Sequence, residues 1–212
     1  MGSIRKGILG GFAGKVGTVV GISWKGGSYM RSLAGKIRNP RTPLQMAHRT
    51  KFALTISYLK PMNALLRSGW KLYGQGQSPI NAAMSYTILN AITGVFPDYA
   101  IDPAKVMVSV GSLTPALNAK ATAAGGKIEL TWGDNSGVNS AKQTDKALIA
   151  IVNGERGEVI TDSAGADRMT GMQTIVLPYN WSGETVDVYL GFISEDGKEV
   201  ANSVWLGSVA VA

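Results

Sequence analysis

The sequence predicts an α+β protein, with an N-terminal β-hairpin plus two helices in residues 1–97 and a C-terminal all-β sandwich in residues 98–212. Three observations lead to this prediction. Two short β-type runs flank a glycine turn, two segments with a 3.6-residue apolar period follow, and six short β-type runs fill the remainder. The pattern changes within FPDYAIDPAK, where Pro97 and Pro103 bracket a shift in composition, so we place a domain boundary between residues 97 and 98.

The first element is the β-hairpin. Its strands are TVVGISW, residues 18–24, and YMRSL, residues 29–33, and the segment KGGS between them is a glycine turn. Two strands with this little apolar surface are not stable alone. We therefore expect the hairpin to pack on the helices that follow or on a neighbouring subunit.

The first predicted helix begins after Thr42, which has the side chain of a good N-cap residue. Pro43 occupies the first helical position, and Gln45 completes a T-x-x-Q capping box. Pro61 should kink or restart the helix, and Gly69 should end it. Its apolar face has i, i+4, i+7 spacing and consists of Phe52, Ile56 and Leu59.

The second predicted helix spans residues 79–93. Ser78 caps it, Pro79 opens it and Gly94 closes it. Its apolar stripe, which we expect to lie in the core, consists of Ile80, Met84, Ile88 and Ile92.

The C-terminal part consists of short apolar or alternating runs that are separated by clusters of Gly, Asn, Asp and Ser. Short strands with turn signals and no helix between them favour an antiparallel sandwich of the immunoglobulin or fibronectin type. Trp132 ends one run, and we expect it to anchor the core. The predicted strands are residues 105–110, 127–132, 146–152, 173–178, 185–193 and 199–211.

The net charge of +7 is divided unevenly along the chain. Residues 1–97 contain thirteen Lys or Arg and no Asp or Glu, whereas residues 98–212 contain eight basic and fourteen acidic residues. The two parts therefore carry charges of +13 and −6. This asymmetry indicates a polyanionic partner or head-to-tail contact between copies, the alternative being an ordinary solvated basic surface.

The glycine-rich run GILGGFAGKVGTVVG, residues 7–21, does not fit a nucleotide-binding loop. Such a loop needs a glycine five residues before the Gly-Lys pair and a hydroxyl after the lysine, but Leu9 and Val16 stand at these positions. We therefore attribute the glycines to close approach of the backbone to a phosphate chain or to another subunit.

Catalytic and metal chemistry have little support in the sequence. The chain has no cysteine and one histidine, His48, so a transition-metal site lacks ligands. The acidic segments DSAGAD, residues 162–167, and SEDGKE, residues 194–199, do not have calcium-loop spacing and are typical of turns. No acidic residue lies near His48 in sequence. We predict a non-enzymatic protein without cofactor, metal or catalytic residue.

The candidate contact residues are cations of the N-terminal part and the aromatic residues among them. Cations without neighbouring acids suit phosphate contacts, and exposed rings stack on bases. Burial in a core or an interface is the alternative for these rings, and we favour it for Trp24 and Trp70. No known DNA- or RNA-binding motif is present, so any such binding should tolerate many sequences. The candidates for lattice or nucleic-acid contact are Arg5, Lys6, Lys15, Lys25, Arg31, Lys36, Arg38, Arg41, His48, Arg49 and Lys51, with Trp24 and Tyr29 as the leading stacking candidates among Trp24, Tyr29, Tyr58, Trp70 and Tyr73.

Four blocks of the sequence, in this order, carry a family resemblance: GILGGFAGKVGTVVGISWKG, TPLQMAHRTKFAL, WGDNSG with TDKALIAIVN, and NWSGETVDVYLGFISEDGKEVANSVWLG. Together they resemble a bacterial family of unknown function found in Bacteroidetes, which implies no activity. The shorter segment NPRTPLQMAHRTKF, residues 39–52, resembles an N-P-R-T-P-x-Q-x-x-x-R-x-x-F segment of phage and prophage proteins. This second resemblance implies a structural role in a virion or prophage.

We therefore expect a self-assembling structural protein, a capsid or tail component of a phage-like virion. The basic part would make lattice contacts or face nucleic acid, and the acidic sandwich would face outward or bind a neighbour's basic part. The alternatives are a sequence-tolerant nucleic-acid-binding protein without a lattice, and an adhesion or carbohydrate-binding sandwich module. No apolar run long enough for a membrane span and no signal peptide are visible, so we expect synthesis in the cytoplasm.

Overall fold

The protein forms two compact units, residues 1–42 (unit 1) and residues 43–212 (unit 2). The division falls at the start of the first helix, whereas the change in composition led us to a boundary between residues 97 and 98. The computed structural model describes residues 3–4, 10–24, 27–35, 39–73 and 76–211.

Unit 1 contains an antiparallel sheet of four strands in the order β1-β2-β3-β4. The predicted hairpin is present, because Val19–Trp24 (β3) pairs with Gly27–Ser32 (β4) along its whole length. Two further strands were not predicted: Ser3–Ile4 (β1), which precedes the glycine-rich run, and Phe12–Val16 (β2), which lies within it. Strand β2 pairs with β1 on one side and with β3 on the other.

Three helices begin unit 2. Helix α1 (Pro43–Leu59) is followed by one 3-10 turn and by α2 (Asn63–Gly69), so the first predicted helix restarts at Pro61. Proline causes the restart because it has no N–H to continue the helical ladder. Helix α3 (Pro79–Asn90) is capped as predicted, with the Ser78 hydroxyl accepting from the amide of Asn81 at 3.4 Å. None of the helices within the described ranges is long and apolar enough to cross a membrane.

Helix α3 ends at Asn90, so the predicted end at residue 93 was wrong. The chain instead forms a two-stranded hairpin of Ile92–Val95 (β5) and Asp98–Ile101 (β6). Gly94 lies inside β5 with a φ of 84°, and a Cβ there would collide with the carbonyl oxygen of Asp98. The glycine that was expected to terminate the helix therefore permits the close approach of β5 and β6.

The predicted sandwich consists of two antiparallel sheets. Two strands of the sandwich were not predicted, Leu117–Ala124 (β7) and Glu158–Asp162 (β10). The first is rich in alanine, the second is short, and both are only half buried. The four-stranded sheet has the order β10 (Glu158–Asp162), β9 (Lys146–Asn153), β12 (Thr185–Ile193), β13 (Val204–Ala210), and the three-stranded sheet has the order β11 (Met172–Val176), β8 (Lys127–Gly133), β7 (Leu117–Ala124).

Unit 2 has three layers, because the helices cover the outer face of the four-stranded sheet. Strand β9 is buried on both faces. Leu148 packs with Leu59 and Trp70 of the helical layer, whereas its neighbour Ile149 packs between the two sheets with Trp132. The expectation that Trp132 anchors the core is confirmed. The helices and the sandwich share a core, and residues on both sides of position 97 therefore belong to one compact unit.

Residues 105–110, predicted as a strand, join no sheet. Their backbone groups bond to other partners. The amide of Val108 donates to the Ser203 hydroxyl at 2.9 Å, and the amide of Val110 donates to the carbonyl of Gly69 at 3.0 Å. The apolar alternation of this segment reflects burial against the helices, which strand periodicity alone cannot distinguish from a sheet.

Two smaller predictions were also wrong. The last strand is shorter than residues 199–211, since only Val204–Ala210 forms regular ladder pairs. Phe52 was assigned to the buried face of the first helix, but its side chain is 55% exposed. The fully buried residues of α1 are Thr55 and Leu59, so the contact of this helix with the core lies in its C-terminal half.

Candidate interaction faces of the N-terminal sheet

The strand register of unit 1 collects four of the candidate contact residues on one face. Lys15 lies opposite Val20, and Val20 lies opposite Arg31. Directly opposed residues in an antiparallel sheet project to the same side, so both cations share a face with Val20 between them. We call the side that carries Lys15, Val20, Ile22, Trp24, Gly27, Tyr29 and Arg31 the cationic face.

Two aromatic side chains continue the cationic face along the hairpin. Tyr29 lies opposite Ile22, and Trp24 lies opposite Gly27, and their side chains are 58% and 65% exposed. We favoured burial of Trp24 in a core or an interface; burial in a core is wrong, and burial in an interface stays a prediction. A Cβ on Gly27 would lie 2.9 Å from the Tyr29 hydroxyl and 3.1 Å from its Cζ, so the absence of a side chain leaves the space that the ring occupies.

The opposite side of the sheet carries apolar side chains together with three serines, Ser23, Ser28 and Ser32. Phe12, Val16, Val19 and Met30 alternate with the residues of the cationic face, and we call this side the apolar face. Met30 is 72% exposed, and Val16 is also exposed. Gly21 lies beneath Phe12, where a Cβ would collide with the phenylalanine ring, so this glycine permits the strands to approach closely.

Both faces belong to a unit of one charge sign. Residues 1–42 contain eight Lys or Arg and no Asp or Glu. Lys15 and Arg31 are exposed and have no carboxylate of their own unit to neutralise them. Their positive potential is therefore directed to solvent and to whatever partner approaches the sheet.

The other described candidates lie outside this sheet. Arg41 is exposed in the last segment of unit 1, whereas His48 and Arg49 are exposed on α1 in unit 2. Lys51 is half-buried on α1, with its Nζ 4.8 Å from the ring centre of Tyr99, a cation–π contact within unit 2. Arg5, Lys6, Lys25, Lys36 and Arg38 lie outside the described residues.

The remaining stacking candidates belong to the helical layer of unit 2. Trp70 is fully buried, as we favoured, and its Nε1 donates to the carbonyl of Met107 at 3.2 Å. Tyr73 packs edge-on against Trp70 and is half exposed. Tyr58 packs against the core and bonds to Tyr189. Of these three rings, only Tyr73 presents a large surface to solvent.

A buried arginine in the sandwich was missed by the sequence analysis. Arg168 is fully buried, and its Nε donates to the carboxylate of Asp145 at 3.1 Å. Its guanidinium carbon lies 3.9 Å from the ring centre of Phe192, and Nη1 donates to the Asn135 side chain at 2.6 Å. Burial lowers the pKa of Arg168, and the charge of Asp145 opposes this shift. No sequence pattern marked Arg168, because its partners are distant in sequence.

The acidic segments that were predicted as turns are turns. The Asp162 carboxylate accepts from the amide of Ala164 at 3.0 Å, and the Asp196 carboxylate accepts from the Ser194 hydroxyl at 2.7 Å. The hydrogen bond from Ser194, together with those from Lys198, holds the pKa of Asp196 far below its usual range. Over the part of the chain that the structure describes, no group of three or more His, Asp or Glu side chains is placed to hold a metal ion.

Comparison with known proteins shows a family and a weak structural similarity. No curated protein sequence matches this chain. A solved fibronectin type III domain of the human collagen alpha-1(XX) chain is similar, with 13% identity and a TM-score of 0.36, over 49% of this chain and 91% of that chain. The sandwich is defined by its own sheet topology. The model of the family of unknown function DUF6266 matches residues 11–207, and the chain therefore belongs to this family.

Proposed function

We propose that this protein is a non-enzymatic structural protein that assembles with further copies of itself. One observation carries the proposal: among the residues that the structure describes, no apolar side chain of the unit 1 sheet is buried. Val16 and Met30, both on the apolar face, are 55% and 72% exposed. Exposed apolar side chains that lie together mark interaction surfaces, since removing them from water contributes about 25 cal/mol per Å² towards the entropy cost of association.

The occupant that we propose for the apolar face is a second copy of the chain. Charge complementarity supports this choice, because residues 1–42 contain six cations besides Lys15 and Arg31 and no acidic residue, whereas residues 98–212 carry a net charge of −6. A contact between unlike surfaces of successive copies is heterologous, and it produces rings or open filaments instead of closed dimers. Such a contact accounts for both the exposed sheet and the charge asymmetry.

Three surface clefts of unit 2 offer little for acid–base chemistry. Three clefts of about 390, 250 and 180 Å³ are lined by apolar, glycine, Tyr, Ser, Asn and Gln residues. None of these three contains a His, Asp, Glu, Lys or Arg side chain. General acid–base chemistry needs a positioned titratable group, and in these clefts only tyrosines are available.

We further propose that the assembly is a capsid or tail component of a phage-like virion. This part rests on the resemblance of residues 39–52 to phage and prophage proteins, because the family itself has no assigned role. The basic part would contact neighbouring copies, and the acidic sandwich would face outward or receive a neighbour's basic part.

Sedimentation and negative-stain microscopy of the purified full chain test the proposal. We expect particles larger than a monomer at 50 mM salt and their dissociation at 500 mM, because salt screens the charge contacts. Met30→Glu places a charge on the apolar face and should abolish assembly. Val176→Glu is the matched control, since Val176 is an apolar strand residue of unit 2 with 68% exposure. A wild-type chain that remains monomeric at every salt and protein concentration would contradict the proposal.

A further inference from the structure

We propose that the cationic face of unit 1 is a binding site for single-stranded nucleic acid. The phosphate backbone would lie along Lys15 and Arg31, and successive bases would stack on Tyr29 and Trp24. This inference goes beyond self-assembly, because it uses the opposite side of the sheet from Met30 and the apolar face. The two proposals can therefore be tested with different variants.

The register fixes the spacing of the cationic face. Lys15 and Arg31 stand on strands β2 and β4, two strands apart and in one row, so their Cα atoms are about 9.5 Å from each other. The Tyr29 row lies about 7 Å further along the hairpin and the Trp24 row about 14 Å further. A nucleic acid that passes the cation row and continues along the hairpin thus meets two aromatic rings in succession.

The ring of Tyr29 has room on the sheet because position 27 is a glycine. The Tyr29 hydroxyl lies 2.9 Å from the place where a Cβ of Gly27 would stand, and a β-carbon would force the ring to move. Gly27 is also the residue opposite Trp24. The two aromatic rings are therefore neighbours on the sheet, with no intervening side chain at position 27.

The chemistry of this face favours single-stranded nucleic acid over a duplex. Base–aromatic stacking requires a base whose π-face is free, which a duplex does not offer, and it is tolerant of sequence because every base has such a face. The cations of unit 1 have no acidic residue in the unit to compete with phosphate. An acidic protein would satisfy the cations but would leave the stacking function of Trp24 and Tyr29 unused.

Fluorescence anisotropy with a labelled 20-nucleotide oligo(dT) and the full chain tests the site. We expect binding at 50 mM salt with an affinity that falls steeply as salt rises. Lys15→Gln with Arg31→Gln should reduce the slope of log affinity against log salt by about 1.4, since each phosphate contact on a single strand contributes about 0.7. The matched control is Lys120→Gln with Lys127→Gln, which removes two exposed strand cations from unit 2.

The aromatic variants separate stacking from charge. Trp24→Ala and Tyr29→Ala should each weaken binding about tenfold. Trp24→Phe should keep most of the wild-type affinity, because it retains a ring. Equal binding of heparin, an unchanged affinity in Trp24→Ala, or an equal salt-slope loss in the Lys120/Lys127 control would each overturn the proposal. Preference for a duplex of the same length, or no binding at 50 mM salt, would also overturn it.

Discussion

The hydroxyl of Tyr58 on helix α1 lies 2.9 Å from the hydroxyl of Tyr189 on strand β12. The Tyr189 hydroxyl donates in turn to the carbonyl of Pro103 at 2.9 Å, so Tyr58 donates to Tyr189. This chain of two hydrogen bonds lies within the apolar cluster that the helices share with the four-stranded sheet. The two hydrogen bonds constrain the position of α1 on the four-stranded sheet, which apolar packing alone does less specifically.

Removal of the Tyr189 hydroxyl should destabilise the protein more than removal of the Tyr58 hydroxyl. Tyr58→Phe loses one hydrogen bond and leaves Tyr189 bonded to Pro103, for a cost of about 1 kcal/mol. Tyr189→Phe removes both hydrogen bonds and leaves the Tyr58 hydroxyl without this partner, whereas the Pro103 carbonyl keeps the amide of Val106 at 3.2 Å, for a cost of about 2 kcal/mol. Urea unfolding measures both free energies. An equal loss in the two variants would show that the hydroxyl chain is not formed as described.

The same pair predicts a loss of stability at alkaline pH. Burial raises the pKa of Tyr58 to about 12 and raises that of Tyr189 as well. Because the folded pKa exceeds that of the unfolded chain, the stabilising contribution is complete below pH 10 and is lost as the pH rises towards the folded pKa.

The free energy of unfolding should therefore fall between pH 10 and pH 12. The double variant Tyr58→Phe/Tyr189→Phe should show a flatter profile than the wild type. Tyr179→Phe is the control, because Tyr179 is 96% exposed, and it should retain the wild-type slope. If the double variant has the same profile as this control, the two hydroxyls do not cause the alkaline loss.

The Arg168–Asp145 pair predicts a large effect from a single substitution. Both side chains are fully buried, and Asp145 Oδ1 has no hydrogen-bond partner in the described part of the chain. Arg168→Met leaves the carboxylate without its cation and should cost about 3–5 kcal/mol in urea unfolding. Arg168→Met combined with Asp145→Leu should recover part of this loss, because no charge then remains buried.

A surface pair provides the control for Arg168. Arg156 bonds to Glu184 through Nη2 at 2.6 Å, but its side chain is 38% exposed. Arg156→Met should cost about 0–1 kcal/mol, since solvent screens exposed ion pairs. Similar losses for Arg156→Met and Arg168→Met would contradict the assignment of Arg168 as a buried structural cation.

Gly69 should not tolerate a methyl group. It ends α2, and a Cβ there would collide with the carbonyl oxygen of Val108 and lie 3.0 Å from the Cα of Ser109. Gly69→Ala should therefore destabilise the protein by about 1–3 kcal/mol, because the strain falls on backbone that cannot move aside. Gly154→Ala has open space and no positive φ, so it should be neutral or stabilising by up to about 1 kcal/mol. Thermal unfolding of the two variants compares them directly.

Local patterns predicted the elements that depend on neighbours in sequence. Pro61 interrupts the first helix and Ser78 caps α3, because each acts on backbone groups within one helical turn. The buried run of β9 was predicted for a similar reason, since residues 147–152 within it are all apolar. The segment 105–110 was misassigned because burial against helices and pairing in a sheet produce the same apolar pattern.

The candidate face was predicted only as a set of residue types. Lys15, Trp24, Tyr29 and Arg31 were identified from charge and aromaticity, but the sequence did not show that β2 pairs with β3. Without that pairing, nothing placed Lys15 on the same side as Arg31. Strand register is a long-range property, because a shift by one residue moves every side chain to the other face.

The sequence by itself determined the charge division, the helix ends set by proline and serine, and the presence of a sandwich, because these depend on composition and short-range periodicity. The tertiary structure alone decided three things. It joined the helices to the sandwich through Tyr58 and Tyr189, it buried Arg168 against Asp145, and it sorted the N-terminal residues into a cationic and an apolar face. Each depends on contacts between residues distant in sequence or on strand register, which no local pattern encodes.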